Sequence, residues 1–130
     1  YPNSDFALDA NYKILLIENL LASKELYIAK YYLERDKWIP AINRLKTILE
    51  IYDETIYVEE AIHRLVEVYY KIGLEEESKK YAKLLGYNYL SSSWYEESYR
   101  VFNKNYLNPK DQIKKNKKNK IIQSFKSLLE

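Results

Sequence analysis

The histidine of the chain stands among carboxylates. Side chains of these types at this spacing could bind a metal ion or transfer a proton. Glu59 and Glu67 each lie four positions from His63, and Glu60 lies three positions before it. Residues three or four apart share one face of a helix, so these side chains would be neighbours. A metal site built from them would lack a third neutral ligand. We therefore interpret the group as a solvated polar face.

Catalytic and cofactor chemistry find no further support in the sequence. The chain has 1 His and 0 Cys, and it has no glycine-rich loop that could bind phosphate. Its serines stand at predicted helix caps rather than beside a general base. The absence of cysteine also excludes disulfides and thiolate metal sites. We therefore predict that the chain is not an enzyme and binds no cofactor and no metal.

Residue types suited to protein recognition gather around one predicted turn between helices. Arg35 and Trp38 border this turn, and Arg44 lies next to Asn43 on the following helix, off its apolar stripe. Trp and Arg are favoured at interface centres, and the planar guanidinium of Arg44 suits a partner's carboxylate. The predicted partner-binding residues are Arg44, Arg35, Trp38, Tyr31 and Asn43.

Several of these residues also have a purely structural interpretation. An exposed Arg44 would ordinarily be a solvated charge, and Trp38 stands where helical repeats pack an aromatic side chain. Tyr32 takes the core position next to Tyr31, so Tyr31 is the better contact residue. The sequence leaves both interpretations open for Arg44 and Trp38.

Composition favours a helical protein. Only 2 Gly and 3 Pro occur among 130 residues, whereas 47% of the residues are hydrophobic. An all-β chain needs more turn residues than this. No apolar run approaches the ~20 residues of a membrane-spanning helix. Apolar residues at helical spacing predict helices over residues 5–22, 24–35, 38–52, 57–72, 75–85 and 94–103.

Caps and breakers set the predicted ends of these helices. Ser4 and Ser23 can each accept a backbone N–H at a helix start. Ser93 and Glu96 have the spacing of a capping box. Gly86 is predicted to end the helix before it.

The sequence resembles itself at an offset of 37 residues, which aligns the turn at Asp36 with the turn at Gly73. Tetratricopeptide (TPR) repeats place small residues where two helices cross and a tyrosine near the end of the first helix. We therefore predict an all-α fold of TPR-like antiparallel helix pairs, stacked as a right-handed solenoid; an unrelated helical bundle is the alternative. The matched pairs are Ile28 with Leu65, Ala29 with Val66, Tyr32 with Tyr69, Ala41 with Ser78, and Leu45 with Ala82.

The charge is distributed unevenly between the body and the tail. Residues 1–103 hold 13 Lys and Arg against 17 Asp and Glu, a net charge of −4, whereas residues 104–130 hold 8 against 2, a net charge of +6. We predict helical repeats over 1–103, a basic linker over 104–120, and a short amphipathic helix over 121–130. The linker alternates Asn with Lys and lacks interleaved aromatic residues, so we expect no nucleic-acid binding. The short helix needs cover for its apolar side, which the repeats, a partner or the membrane surface could supply, and we expect it to dock on a partner.

Several short stretches of the sequence are more specific than helical spacing, namely Tyr1-Pro2-Asn3-Ser4, Glu25-Leu26-Tyr27, Tyr31-Tyr32-Leu33, Ala41-Ile42-Asn43-Arg44, Ile72-Gly73-Leu74 and Leu85-Gly86-Tyr87-Asn88-Tyr89. With these stretches the sequence resembles the BamD family of outer-membrane assembly lipoproteins over about residues 1–103. The stretch from 27 to 44 is the most specific, because a general TPR pattern does not require it. The family pattern usually has proline where Asp53 and Leu90 stand.

This resemblance implies a scaffold at the periplasmic face of the Gram-negative outer membrane. Its expected partners are a POTRA domain of BamA, other subunits of the assembly complex, and unfolded outer-membrane protein segments. The expected attachment to the membrane is a lipid anchor outside this chain, upstream of its first residue. The alternative is a general TPR peptide-binding or co-chaperone-like module of the bacterial envelope.

Overall fold

A computed structural model describes residues 3–90, 92–104 and 109–129, and all regular structure in these ranges is α-helical. The predicted all-α class is therefore confirmed. Predictions that fall on residues 1, 2, 91, 105–108 and 130 lie outside the described residues. The helices are α1 (Asp5–Leu33), α2 (Trp38–Ile51), α3 (Val58–Lys71), α4 (Glu75–Asn88), α5 (Ser93–Phe102) and α6 (Pro109–Leu129).

Helix α1 is one continuous helix, so the predicted division into two helices at Ser23 is wrong. The Ser23 hydroxyl donates to the carbonyl of Leu20 at 2.7 Å instead of capping a new helix. Such a back-bond is compatible with a helix interior. The prediction for Ser4 is confirmed, because its hydroxyl oxygen accepts the N–H of Ala7 at 3.2 Å.

The two halves of α1 differ in burial. Its buried residues all lie in the second half, which packs against α2. The first half keeps its predicted apolar stripe in solvent, since Phe6 is 84% exposed and Ile17 is 57% exposed. No described helix covers that stripe, so amphipathic spacing alone does not bury it.

The 37-residue offset reappears in the backbone geometry. Asp36 and Gly73 both adopt the left-handed conformation, with φ of 56° and 86°. Asp tolerates this region better than most non-glycine residues. In the first turn Lys37 donates its N–H to the carbonyl of Tyr32 at 2.9 Å. The equivalent bond of the second turn, from 74 to 69, has the same length. The α1–α2 and α3–α4 pairs are thus built alike, as TPR-like pairs are.

The core lies where these pairs meet, and α3 is its centre because α2, α4 and α5 all pack against it. Small residues allow the close helix crossings, and the buried Ser78 hydroxyl donates to the Val66 carbonyl at 2.7 Å. Burying each large aliphatic side chain contributes about 1.5–3 kcal/mol. Side chains that are fully buried at or near these crossings include Ala29, Ala41, Leu45, Ile48, Leu65, Ser78 and Leu85.

Gly86 lies inside α4 and does not end it, contrary to the prediction. A Cβ at this position would collide with the ring of Tyr95 on α5. The glycine therefore serves the close approach of two helices. The N-cap of α5 is Ser92, which accepts the Trp94 N–H at 3.2 Å, and the predicted capping box at Ser93 does not form.

The structure of the C-terminal tail differs from the prediction of a linker followed by a short helix. Helix α6 runs from Pro109 to Leu129, so residues 109–120 of the predicted linker are helical and continuous with the predicted short helix. Lysine is a good helix former and Pro109 occupies the first position, where its missing N–H costs little. Every side chain described in 112–129 is exposed. Across the described ranges, each helix is too short or too polar to cross a bilayer.

Candidate functional site

Arg44 is held in an ion pair across the first helix pair. Its Nη1 lies 3.2 Å from Oε1 and 3.1 Å from Oε2 of Glu25 on α1. The Arg44 side chain is 43% exposed and that of Glu25 is 16% exposed. Glu25 therefore orients the guanidinium through one nitrogen. No hydrogen bond of the Arg44 Nε or Nη2 is found within the described ranges, so these donors are placed to meet a second carboxylate.

Tyr31 and Arg35 form a second cluster at the end of α1. The Arg35 guanidinium lies 3.6 Å from the centre of the Tyr31 ring, and its Nη1 donates to the Tyr31 carbonyl at 3.1 Å. Tyr31 also contacts Tyr32 edge to face, with ring centres 5.7 Å apart. Both Tyr31 and Arg35 are exposed. The structure thus brings these two predicted residues together as a cation–π pair on the surface.

Trp38 and Asn43 behave differently from the other predicted contact residues. Trp38 is half-buried against the core, and Lys71 Nζ lies 4.8 Å from its ring centre. Asn43 is exposed, and its carbonyl accepts the hydroxyl of Thr47 at 3.0 Å. Among the described residues, no hydrogen bond, ion pair or ring contact joins Arg44 to the other predicted contact residues. These residues lie on α1, in the turn after it and on α2, and they do not form one cluster.

A cleft of about 300 Å³ opens beside Trp38, between α1, α2 and α3. Its apolar part can hold a side chain, and its charges of both signs can hold a polar backbone. Its walls are Leu33, Glu34, Trp38, Arg64, Glu67, Val68 and Lys71.

A chain of ion pairs links α1 to α3 beside this cleft. Lys30 Nζ lies 2.6 Å from Glu60 Oε1, and Arg64 donates to both Glu60 and Glu67 at 3.1 Å. Burial opposes ionisation of Glu60, but hydrogen bonds from Lys30 and Arg64 outweigh it and lower the pKa of its carboxyl. The pKa of Glu67 is also lowered, chiefly by its hydrogen bond with His63. The pairs within α3 join residues three or four positions apart, whereas the link to Lys30 exists only in the folded chain.

His63 is buried, so its predicted place on a solvated polar face is wrong. The residue is 4% exposed, and its Nδ1 lies 2.9 Å from the Ser98 hydroxyl. Its ring packs on Trp94 at 5.0 Å, and its Nε2 lies 3.5 Å from Glu67 Oε1. Helix α5 covers this side of α3. The sequence offered a signal, because Ser98 lies four positions from both Trp94 and Phe102 and so shares their helix face. A hydroxyl buried on that face needs a polar partner.

The neighbours of His63 give it a structural role. It joins α3 to α5 through Ser98, and the described residues contain no group of three or more His, Cys, Asp or Glu that could hold a metal ion. The Ser98 hydroxyl is the closest partner of the buried imidazole, and this contact satisfies a polar group of the core.

Comparison with known proteins identifies relatives of one kind. The model of the YfiO family, described as outer membrane lipoprotein, matches residues 1–85. The outer membrane protein assembly factor BamD of Rickettsia prowazekii is 44% identical over 108 residues, which are 83% of this chain and 43% of that protein. The protein of the same name from Caulobacter vibrioides is 42% identical over 109 residues, 84% of this chain and 36% of that protein.

The chain thus spans less than half the length of these relatives. Both relatives are named as assembly factors, which agrees with the prediction of a non-catalytic chain. The family match over residues 1–85 covers α1 to α3 completely, including the Arg44–Glu25 pair and the cleft beside Trp38. The chain belongs to the YfiO/BamD family of outer-membrane lipoproteins of Gram-negative bacteria.

Proposed function

We propose that the chain is a scaffold subunit of the β-barrel assembly machinery and binds a periplasmic POTRA domain of BamA. In this proposal it acts at the periplasmic face of the outer membrane, with a lipid anchor outside this chain. Its helix pairs continue as a right-handed solenoid and present the α1–α2 surface to the partner. Family membership supports the assembly role, and the surface residues support the mode of binding.

The observation that carries this proposal is the state of Arg44. A guanidinium that is half exposed and oriented by Glu25 loses less conformational entropy on binding than a free side chain. Its remaining donors suit a bidentate bond to a carboxylate of the POTRA domain. The stacked Tyr31 and Arg35 add an aromatic and a cationic contact, which are residue types that dominate interface energies.

The cleft beside Trp38 favours a second role, the capture of an extended peptide segment. Its apolar wall accepts a side chain, while Arg64 and Lys71 can bind carbonyl or carboxylate oxygens and Glu34 can accept N–H groups. Unfolded segments of outer-membrane proteins have this chemistry. This reading corresponds to a general TPR peptide-binding module of the bacterial envelope.

Calorimetry with the barrel-proximal POTRA domain of the cognate BamA tests the first role. We expect the unsubstituted chain to bind with micromolar or tighter affinity, and we expect Arg44→Glu to weaken binding about tenfold or more. Glu25→Gln should weaken binding less, because it loosens the guanidinium without removing it.

Arg100→Glu is the matched control, since the Arg100 side chain is 40% exposed and pairs with carboxylates on α5. It should leave binding unchanged, and circular dichroism should show the same helicity for every variant. Absence of binding by the folded, unsubstituted chain would overturn the scaffold proposal. An equal loss with Arg100→Glu would show a general charge effect and remove Arg44 from the site.

A further inference from the structure

Helix α6 concentrates most of its apolar residues on one face, together with two of its lysines. At about 100° per residue, Lys114, Lys118, Ile121, Phe125 and Leu129 fall within one narrow arc of the helix. Along the helix axis the two lysines of this arc come first and its three apolar side chains follow. The pattern is therefore an axial one, with positive charge followed by apolar surface.

The opposite face of α6 carries uncharged polar residues. The other lysines of residues 112–129 lie between the two faces. The separation of apolar from uncharged polar residues distinguishes α6 from a uniformly solvated linker. The residues of the opposite face are Gln112, Asn116, Asn119, Gln123 and Ser127.

The described part of α6 presents this face to solvent. Phe125 is 65% exposed, and Leu128 and Leu129 are 82% and 86% exposed. Residues 112–129 contain 6 Lys and no acidic residue. This face combines positive charge with an apolar patch. A complementary partner therefore has a negatively charged surface with an apolar layer beneath it.

We propose that α6 binds the surface of a membrane that contains anionic phospholipids. Lys114 and Lys118 would lie among the lipid phosphates, while Phe125 and Leu129 would enter the boundary of the acyl chains. The apolar segment 121–129 is about 13 Å long at 1.5 Å per residue, so it can dip into one leaflet without crossing it.

One further observation favours a lipid surface over an acidic protein, and a second favours an anionic partner of either kind. The family is one of outer-membrane lipoproteins, so a membrane lies close to the chain. The body over residues 1–103 has a net charge of −4, so an anionic surface attracts the tail and repels the body. The proposal does not depend on the POTRA interaction, because it concerns a different helix and a different partner.

Vesicle flotation with the whole chain tests the proposal. One set of vesicles is pure phosphatidylcholine, and in the other about a third of the lipid is phosphatidylglycerol, which supplies the anionic surface. We expect binding to the anionic vesicles about tenfold or more above the neutral ones, and a decrease on adding salt. Circular dichroism should show retained helicity.

Two double variants separate the charge from the apolar contribution. Lys114→Glu with Lys118→Glu should abolish the preference for anionic vesicles, and Phe125→Ser with Leu129→Ser should weaken the binding that remains in high salt. The matched control is Lys37→Glu with Lys83→Glu, which reverses two exposed lysines outside α6 and should change nothing.

Three results would overturn the proposal. The first is no binding of the folded chain to anionic vesicles. The second is an equal loss of binding in the control variant, which would assign the effect to net charge. The third is loss of POTRA binding in the α6 variants without any vesicle binding, which would identify α6 as a protein-docking helix.

Discussion

Helices α3 and α6 both carry apolar residues at helical spacing, yet they end in opposite environments. In α3 eight residues are buried, among them Leu65 and Val66 at 0% exposure. In α6 every described side chain is exposed, including Phe125. The difference lies in their neighbours, since α2, α4 and α5 pack on α3. Periodicity creates an apolar face, and only a partner determines whether that face contributes to folding or to binding.

The two helices should differ most in how much the free energy of unfolding falls when one large side chain is truncated. Leu65→Ala should lower the free energy of unfolding by about 2–5 kcal/mol, because a fully buried leucine leaves a cavity. Leu128→Ala on α6 should change it by less than about 0.5 kcal/mol. Urea unfolding measures both values. Equal costs would mean that α6 is packed on the body.

Removing the His63–Ser98 contact measures how much this contact stabilises the packing of α5 against α3. Ser98→Ala should cost about 1–3 kcal/mol, because it leaves a buried ring nitrogen without its partner. The same change at the exposed Ser124 of α6 should have no measurable effect. Denaturant unfolding of both variants gives the comparison, and a neutral Ser98→Ala would show that the bond does not stabilise the fold.

Gly86 tests the close approach of α4 and α5. Alanine is the better helix former, so Gly86→Ala would stabilise an isolated helix. In the folded chain the added methyl group collides with the Tyr95 ring, and we expect a net loss of about 1 kcal/mol. A shift of the thermal midpoint reports it. Combining the change with Tyr95→Leu should restore part of the stability, whereas an increase in midpoint for Gly86→Ala alone would show that the ring moves freely.

Acid sensitivity should also separate the body from the tail. The pKa values of Glu60 and Glu67 are lowered in the folded chain. Their ionised forms therefore contribute stability above the pKa of an unfolded glutamate. That contribution is lost as the pH falls through the folded values. Unfolding measured from neutral to acidic pH should show a smaller decline for Glu60→Gln.

Truncation of the chain after Asp111 is the control for this pH dependence, because residues 112–129 contain no carboxylate side chain and Glu130 is the only acidic residue that is lost. The truncated chain should show the same decline as the whole chain. A decline that disappears with α6 would place the responsible groups in the tail instead of in the Lys30–Glu60–Arg64 chain.

Local signals in the sequence were sufficient for the parts of the fold that depend on neighbours along the chain. Helical spacing indicated the all-α class, and Asp36 and Gly73 marked equivalent turns because both positions require a left-handed backbone. The family pattern from 27 to 44 pointed to the surface that contains Arg44 and Tyr31. The residue types suited to a carboxylate contact followed from side-chain chemistry alone.

Contacts between distant residues decided the rest. Glu25 became the partner of Arg44, Ser98 became the partner of His63, and Tyr95 explained Gly86, across separations that sequence spacing does not relate. Helical continuity through Ser23 and burial of one half of α1 likewise depended on which surfaces meet. The sequence by itself determined the helical class, the turns at Asp36 and Gly73, and the chemistry of the side chains. Only the tertiary structure decided which polar groups are paired and which apolar faces remain open, because burial and pairing are properties of two surfaces at once.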